Sequence, residues 1–200
     1  MLETINGHKF ENVYRVDLFT GLRQGEILGL TWDNVDFKNG IITVSQQLQK
    51  EHVTGGQYGL VSNKNDRIRR LKPAGFVMEI LKKQKVKQCE DQLKAGEFWN
   101  NEWNLVFTNE IGQHLCISTV YKNFKKIMAK IGLPETRFHD MRHTYAMLSL
   151  QNGDDIKTVQ YNVGHATAAF TLDVYGHVSQ RMQQESADRM QDYFEGLKAE

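Results

Sequence analysis

Apolar residues recur at three- and four-residue steps in "FENVYRVDLFTGLRQGEILGLTW", where Val13, Val16, Leu18 and Phe19 predict a first helix. Thr20-Gly21 breaks that helix, and a short second one carries Ile27, Leu28 and Leu30 inward. The β-branched run "GIITVSQQLQ" predicts a strand, and "YGLVSNKNDRIRRLKP" a hairpin whose turn lies at Asn63 to Asp66. A long helix follows from Pro73 through "FVMEILKKQKVKQ", with the proline suited to its first turn. "NLVFTN" and "HLCIS" predict a second small pair of strands, and Ser118 a cap for the helix "TVYKNFKKIMAKIG", which stops at Gly132. The last third is helical throughout: "HDMRHTYAMLSLQNG" ends on Asn152-Gly153, "DDIKTVQYNVGH" follows with Asp154 as its cap, and "TAAFTLDVYGHV" precedes an amphipathic tail helix at about 179–197. The pattern predicts one domain over residues 1–200, mainly α with a small antiparallel β-sheet (α+β).

Composition narrows the class. Two hundred residues with 40% hydrophobic content suffice for a single core, and the chain holds two prolines and no low-complexity run. No apolar segment reaches the roughly 20 residues that cross a bilayer, so no membrane is expected, and no signal peptide heads the chain. Cys89 and Cys116 are too few for a disulfide framework or a four-thiolate metal site. Free thiols fit a reducing cytoplasm. The formal net charge is +1, but it is unevenly spread. Between Lys64 and Lys87 nine Lys/Arg face only Asp66 and Glu79, Lys122, Lys125, Lys126 and Lys130 follow, and the balance turns acidic after Met182. A basic body with an acidic tail is consistent with a polyanion partner and equally with a solvated helix face.

The candidate chemistry starts at "FHDMRHTYAM". On a helix His139, Arg142 and His143 share one face. Two histidines one turn apart resemble half of a zinc helix, but Asp140 stands where the catalytic Glu of an H-E-x-x-H motif belongs, and Arg142 would repel a dication. Packed or capped histidines are the plainer alternative. A phosphate is the third reading, and Arg23 strengthens it: the residue follows the Thr20-Gly21 break at the start of a helix, a good place for a guanidinium aimed at an anion. Two arginines can together grip both non-bridging oxygens of a phosphodiester. His165 and Tyr175 in "NVGHATAAFTLDVYGHV" complete the set. A lone helical tyrosine is ordinarily core or interface, and its phenol, with a pKa of about 10, becomes a nucleophile only among positive charges.

Three blocks, "TGLRQGEILGLTWDNVDF", "FHDMRHTYAM" and "VGHATAAFTLDVYGHV", resemble in content and order the T-G-x-R-x-x-E, H-x-x-R-H-T and G-H…T-x-x-x-Y-x-H patterns of the tyrosine recombinases of phage and conjugative-transposon integrases. The resemblance implies the recombinase catalytic-domain fold. It also implies site-specific DNA recombination or integration through a 3′-phosphotyrosyl intermediate. Arg23, Arg142, His139 and His165 would meet the scissile phosphate, Tyr175 would attack it, and Lys64 would protonate the leaving 5′ oxygen. Arg67 and Arg69 lie in the same loop and compete for that last role. Glu26 would brace Arg23, and His143 would support the helix. No cofactor and no metal is implied, because the covalent link stores the bond energy.

The resemblance implies double-stranded DNA as the partner. The family analogy implies a tetramer on DNA, with monomers in isolation. The tail's Met182, Met190, Phe194 and Leu197 would dock on a neighbouring protomer or on their own domain. The family's N-terminal core-binding and arm-binding domains have no counterpart in these residues. Asn162-Val163 also departs from the commoner R-L-G-H block. Competing readings are a type IB topoisomerase-like nicking and resealing activity, a non-catalytic DNA-binding module, and a metalloenzyme.

Overall fold

The computed structural model describes residues 1–50, 57–63, 68–164 and 180–198. Its helices are α1 (Glu11–Thr20), α2 (Gln24–Leu28), α3 (Gly75–Ala95), α4 (Ile117–Lys130), α5 (Asp140–Gln151), α6 (Ile156–Val163) and α7 (Gln180–Lys198). Five short strands, β1 (Val35–Asp36), β2 (Ile41–Val44), β3 (Gln46–Lys50), β4 (Tyr58–Ser62) and β5 (Arg69–Leu71), form a three-stranded sheet ordered β1-β2-β5 and a two-stranded sheet β3-β4, all antiparallel. The mainly helical α+β architecture is the one expected.

Helical periodicity accounts for the core. α1 buries Val13, Tyr14, Val16, Asp17 and Thr20, and α4 buries Val120, Phe124, Ile127 and Met128, each at three- and four-residue steps. Tyr14, Phe124 and Phe138 meet in a ring cluster with centroids 5.3–6.2 Å apart, tying α1, α4 and the approach to α5 together. A second, smaller cluster of Ala146, Leu150, Val159 and Val163 joins α5 to α6.

The strands depart from expectation in two places. Residues 58–73 are not a hairpin folded on themselves: β4 pairs with β3 and β5 with β2, so both extend along one continuous partner. Gln46 faces Ser62, Val44 faces Arg69, and the Asn63 N–H donates to the Ser45 carbonyl at 3.3 Å; the rest of the expected turn at Asn63 to Asp66 lies outside the described residues. The hairpin proper is β3–β4. The second expected strand pair shrinks to two isolated bridges, Thr31 with Leu105 and Thr108 with His114. The physical reason lies on α3. Its Gln84 and Gln88 are buried where apolar residues would sit, and their amides donate to the Val106 and Leu105 carbonyls at 3.2 and 2.9 Å. Side chains thus meet the backbone groups that a ladder would otherwise have satisfied.

Two caps also differ. The cap of α4 lies two residues earlier than expected, at Cys116 rather than Ser118, and Asp155 rather than Asp154 caps α6, accepting from the Lys157 and Thr158 N–H groups at 3.0 Å.

Gly21 closes α1 in the left-handed region, with φ of 62°, and its N–H donates to the Asp17 carbonyl at 2.9 Å. A Cβ there would stand 2.5 Å from the Tyr145 ring on α5. Both constraints act on the turn that delivers Arg23. Gly21→Ala is therefore expected to destabilise the fold by roughly 2–3 kcal/mol, the sum of left-handed backbone strain and displaced packing. Urea unfolding of the purified variants measures it; a loss below about 0.5 kcal/mol, the usual range for a neutral surface change, would show that the turn relaxes.

Candidate active site

Arg23 is the N-cap of α2, and its position is set by one carboxylate. Glu26 accepts from the Arg23 backbone N–H at 2.8 Å and from Arg23 Nη1 at 2.9 Å, in a capping box that closes the helix start. The same carboxylate, with no side-chain exposure, is gripped from the other side by Arg69 on β5: Nη1 reaches Oε1 at 2.9 Å and Nη2 reaches Oε2 at 2.7 Å. Burial pushes the Glu26 carboxyl upward, but the hydrogen bonds and charge of Arg69, together with the Arg23 N–H and guanidinium, more than offset it and hold the group at about 2. Arg23 itself keeps 42% of its side chain exposed, so its guanidinium is both anchored and open to solvent.

Arg142, on α5, is only 1% exposed. Its Nη1 donates to the Gly21 carbonyl at 2.7 Å and its Nη2 to the Val163 carbonyl, while Nε has no partner among the described residues. Burial and the neighbouring charges of Arg23 and Arg69 push this guanidinium down to about 9, against the pull of Glu26 and Asp17. Asp17 lies fully buried on the core face of α1, and neither carboxylate oxygen has a hydrogen-bond partner among the described residues. Burial raises its pKa well above the ordinary aspartate value, with Arg142 opposing and Glu26 adding to the rise.

His139 is exposed at the N-cap of α5. Partial desolvation, then His143, Arg142 and Arg23, lower its pKa, with Asp140 opposing, so the imidazole is neutral at pH 7. The ring of half-buried His143 meets it edge-on at 4.8 Å. Three of the six residues anticipated for catalysis thus lie together: Arg142 and Arg23 both lower the His139 pKa, and Arg23 lowers that of Arg142. Lys64, His165 and Tyr175 lie outside the described residues. Among the described residues no cluster of three or more His, Cys, Asp or Glu could hold a metal.

Two residues were missed in the sequence. Arg69 was weighed as a rival to Lys64, but its three donating nitrogens are turned inward, which also removes it from the basic surface. The signal was there in the strand period: Arg69 and Leu71 share the buried face of β5. Asp17 occupies the apolar stripe of α1, where a carboxylate stands out.

Fold and site together define the chain as a tyrosine recombinase catalytic domain. It belongs to the phage integrase family, whose model matches residues 10–182. A tyrosine recombinase XerC-like protein of Caldanaerobacter subterraneus subsp. tengcongensis is 31% identical over 202 residues, covering 96% of this chain and 51% of its own length. The ICEBs1 integrase of Bacillus subtilis is 28% identical over 185 residues, covering 92% of this chain and 49% of its own. The chain therefore spans about half the length of these curated relatives. Among solved structures, the Tn1549 transposon integrase in complex with circular intermediate DNA superposes with a TM-score of 0.75 at 25% identity, over 94% of this chain and 63% of that one. XerA recombinase shares the fold with a TM-score of 0.68 at 22% identity, over 94% and 61%.

The depressed Glu26 pKa carries a pH signature. A carboxyl that titrates lower when folded stabilises fully above its unfolded value of about 4.3 and loses that contribution as pH falls. Glu26→Gln is expected to cost roughly 3–5 kcal/mol at neutral pH, because it strands Arg69 in the interior. The deficit should shrink as the medium is acidified through about pH 4 towards about 2. Denaturant melts of both proteins across that range measure it, and a pH-independent deficit would remove the ion pair as its cause.

Proposed function

We propose that this domain cuts and rejoins duplex DNA through a 3′-phosphotyrosyl intermediate, in site-specific recombination or integration of a mobile element. The observation that carries the reading is the convergence of Arg23, Arg142 and a neutral His139 on one place, with internal carboxylates too few to balance the guanidiniums. A phosphodiester supplies the missing negative charge. Membership of the integrase family adds support, as does the likeness to a Tn1549 integrase held in complex with DNA.

In the proposed reaction the Tyr175 oxygen attacks phosphorus in line, giving up its proton with His139 as the acceptor. The new P–O bond forms as the P–O5′ bond breaks, and Lys64 protonates the departing 5′ oxygen, a contribution of about 10²- to 10⁴-fold. Arg23, Arg142 and His165 meet the charge developing on the non-bridging oxygens; such preorganised donors are each worth several kcal/mol, roughly 3–4 by single removals elsewhere. Attack by the 5′-hydroxyl of a second strand completes an exchange.

Backbone phosphates fall to the exposed face of α4, where Lys122, Lys126 and Lys130 are unburied. Lys125 is drawn instead onto the carbonyls of Pro134 and Thr136. On α3, Lys82 and Lys87 pair with Glu79 and Asp91. We assign the exposed Met190, Tyr193 and Phe194 of α7 to contacts between protomers of a DNA-bound tetramer.

A nicked suicide duplex bearing the core site is expected to trap a protein–DNA adduct in EDTA. The adduct should be absent from Tyr175→Phe and reduced at least about 100-fold in rate for Arg23→Ala or Arg142→Ala. An adduct that survives Tyr175→Phe would move the nucleophile elsewhere. DNA affinity should fall by a power law in salt concentration, and Lys122→Ala should lower that slope by about 1. An unchanged slope would take α4 off the DNA.

A further inference from the structure

Arg69 is the one guanidinium of the cluster that has no free donor edge. Its Nη1 and Nη2 hold Glu26, its Nε donates to the Asn162 carbonyl at 2.9 Å, and the residue is 4% exposed. Three arginines in fact meet three successive carbonyls at the end of α6: Arg69 takes Asn162, Arg142 takes Val163, and Arg23 Nη2 takes Gly164 at 3.0 Å. A Cβ on Gly164 would come within 3.0 Å of the Arg69 guanidinium, so this packing leaves no slack. The carbonyl end of a helix carries partial negative charge, which suits it to such a clasp.

We propose that Arg69 is a positioning residue for the phosphate site: it orients Glu26, which orients Arg23. This rests on the reading of function above and adds a member that never touches DNA. Arg23 is partly exposed and carries several rotatable bonds, so without a fixed carboxylate its guanidinium disperses over many rotamers. Glu26 can offer that fixed carboxylate only while its other edge is clamped. Lysine cannot substitute, because a single ammonium cannot hold both carboxylate oxygens and a carbonyl in one plane.

The test compares Arg69→Lys with the unaltered protein on the suicide duplex at saturating DNA. We expect cleavage roughly 10- to 100-fold slower, the scale of an ångström-sized misplacement, with DNA affinity within about 2-fold and a cooperative melt retained. In an Arg23→Ala background, Arg69→Lys should slow cleavage no further, since both act through one guanidinium. The Arg23 Nε–Hε group, followed by NMR relaxation, should gain fast motion in Arg69→Lys. Cleavage at the unaltered rate, an equal slowing in the Arg23→Ala background, or an unchanged Arg23 relaxation would each overturn the proposal. If Arg69→Lys fails to fold, the pair Glu26→Gln with Arg69→Gln leaves no unmatched buried charge and carries the same expectations. A native protein that forms no adduct would sink the reading of function, and the relaxation measurement would then decide the positioning role by itself.

Discussion

One buried carboxylate governs the geometry of the site. Glu26 has no solvent contact, so its charge persists only because Arg69 and Arg23 surround it with four hydrogen bonds. Everything else follows from that requirement. α2 must start where its first N–H can reach Glu26, β5 must present Arg69 on its inner face, and α6 must end where its carbonyls can accept the remaining donors. The ion pair is therefore less a source of net stability than a device that selects one arrangement of three segments distant in sequence.

Charge balance then explains why such an arrangement suits an anion. Arg23, Arg69 and Arg142 bring three positive charges together, Glu26 returns one negative charge, and burial disfavours a second on Asp17. The α6 carbonyls contribute only partial charges. The excess is met at the exposed edge, beside Arg23 and His139, and a phosphodiester placed there fits both its sign and its hydrogen-bonding geometry. Arg69 spends its donors inward, so it acts as a fixed positive background while Arg23 offers a contact edge.

The same logic separates two kinds of basic residue that look alike in a one-dimensional charge count. Arg69 lies in the densest basic stretch of the chain yet contributes nothing to its surface. Lys85 lies over the rings of Trp32 and Phe37, and Lys125 closes the loop before α5. Among the described residues Arg70, Lys72 and Lys83 stay exposed beside Lys122, Lys126 and Lys130 of α4, a narrower set than the count from Lys64 onward suggested.

Local pattern determined a good deal unaided. The helical stripes of α1, α3, α4 and α5 were readable because side-chain period follows from backbone geometry within a few residues. The three motif blocks were readable because their residue types and spacings are specific enough together to identify the family. Strand pairing was not readable. Whether residues 58–73 fold on themselves or along β2 and β3 depends on which backbone lies beside them, and the buried glutamines of α3 displaced a ladder that residues 104–109 would otherwise have needed. The inward turn of Arg69 was decided at the same level. An arginine faces solvent or a carboxylate according to what the fold brings near it, and Glu26 lies 43 residues away in the chain.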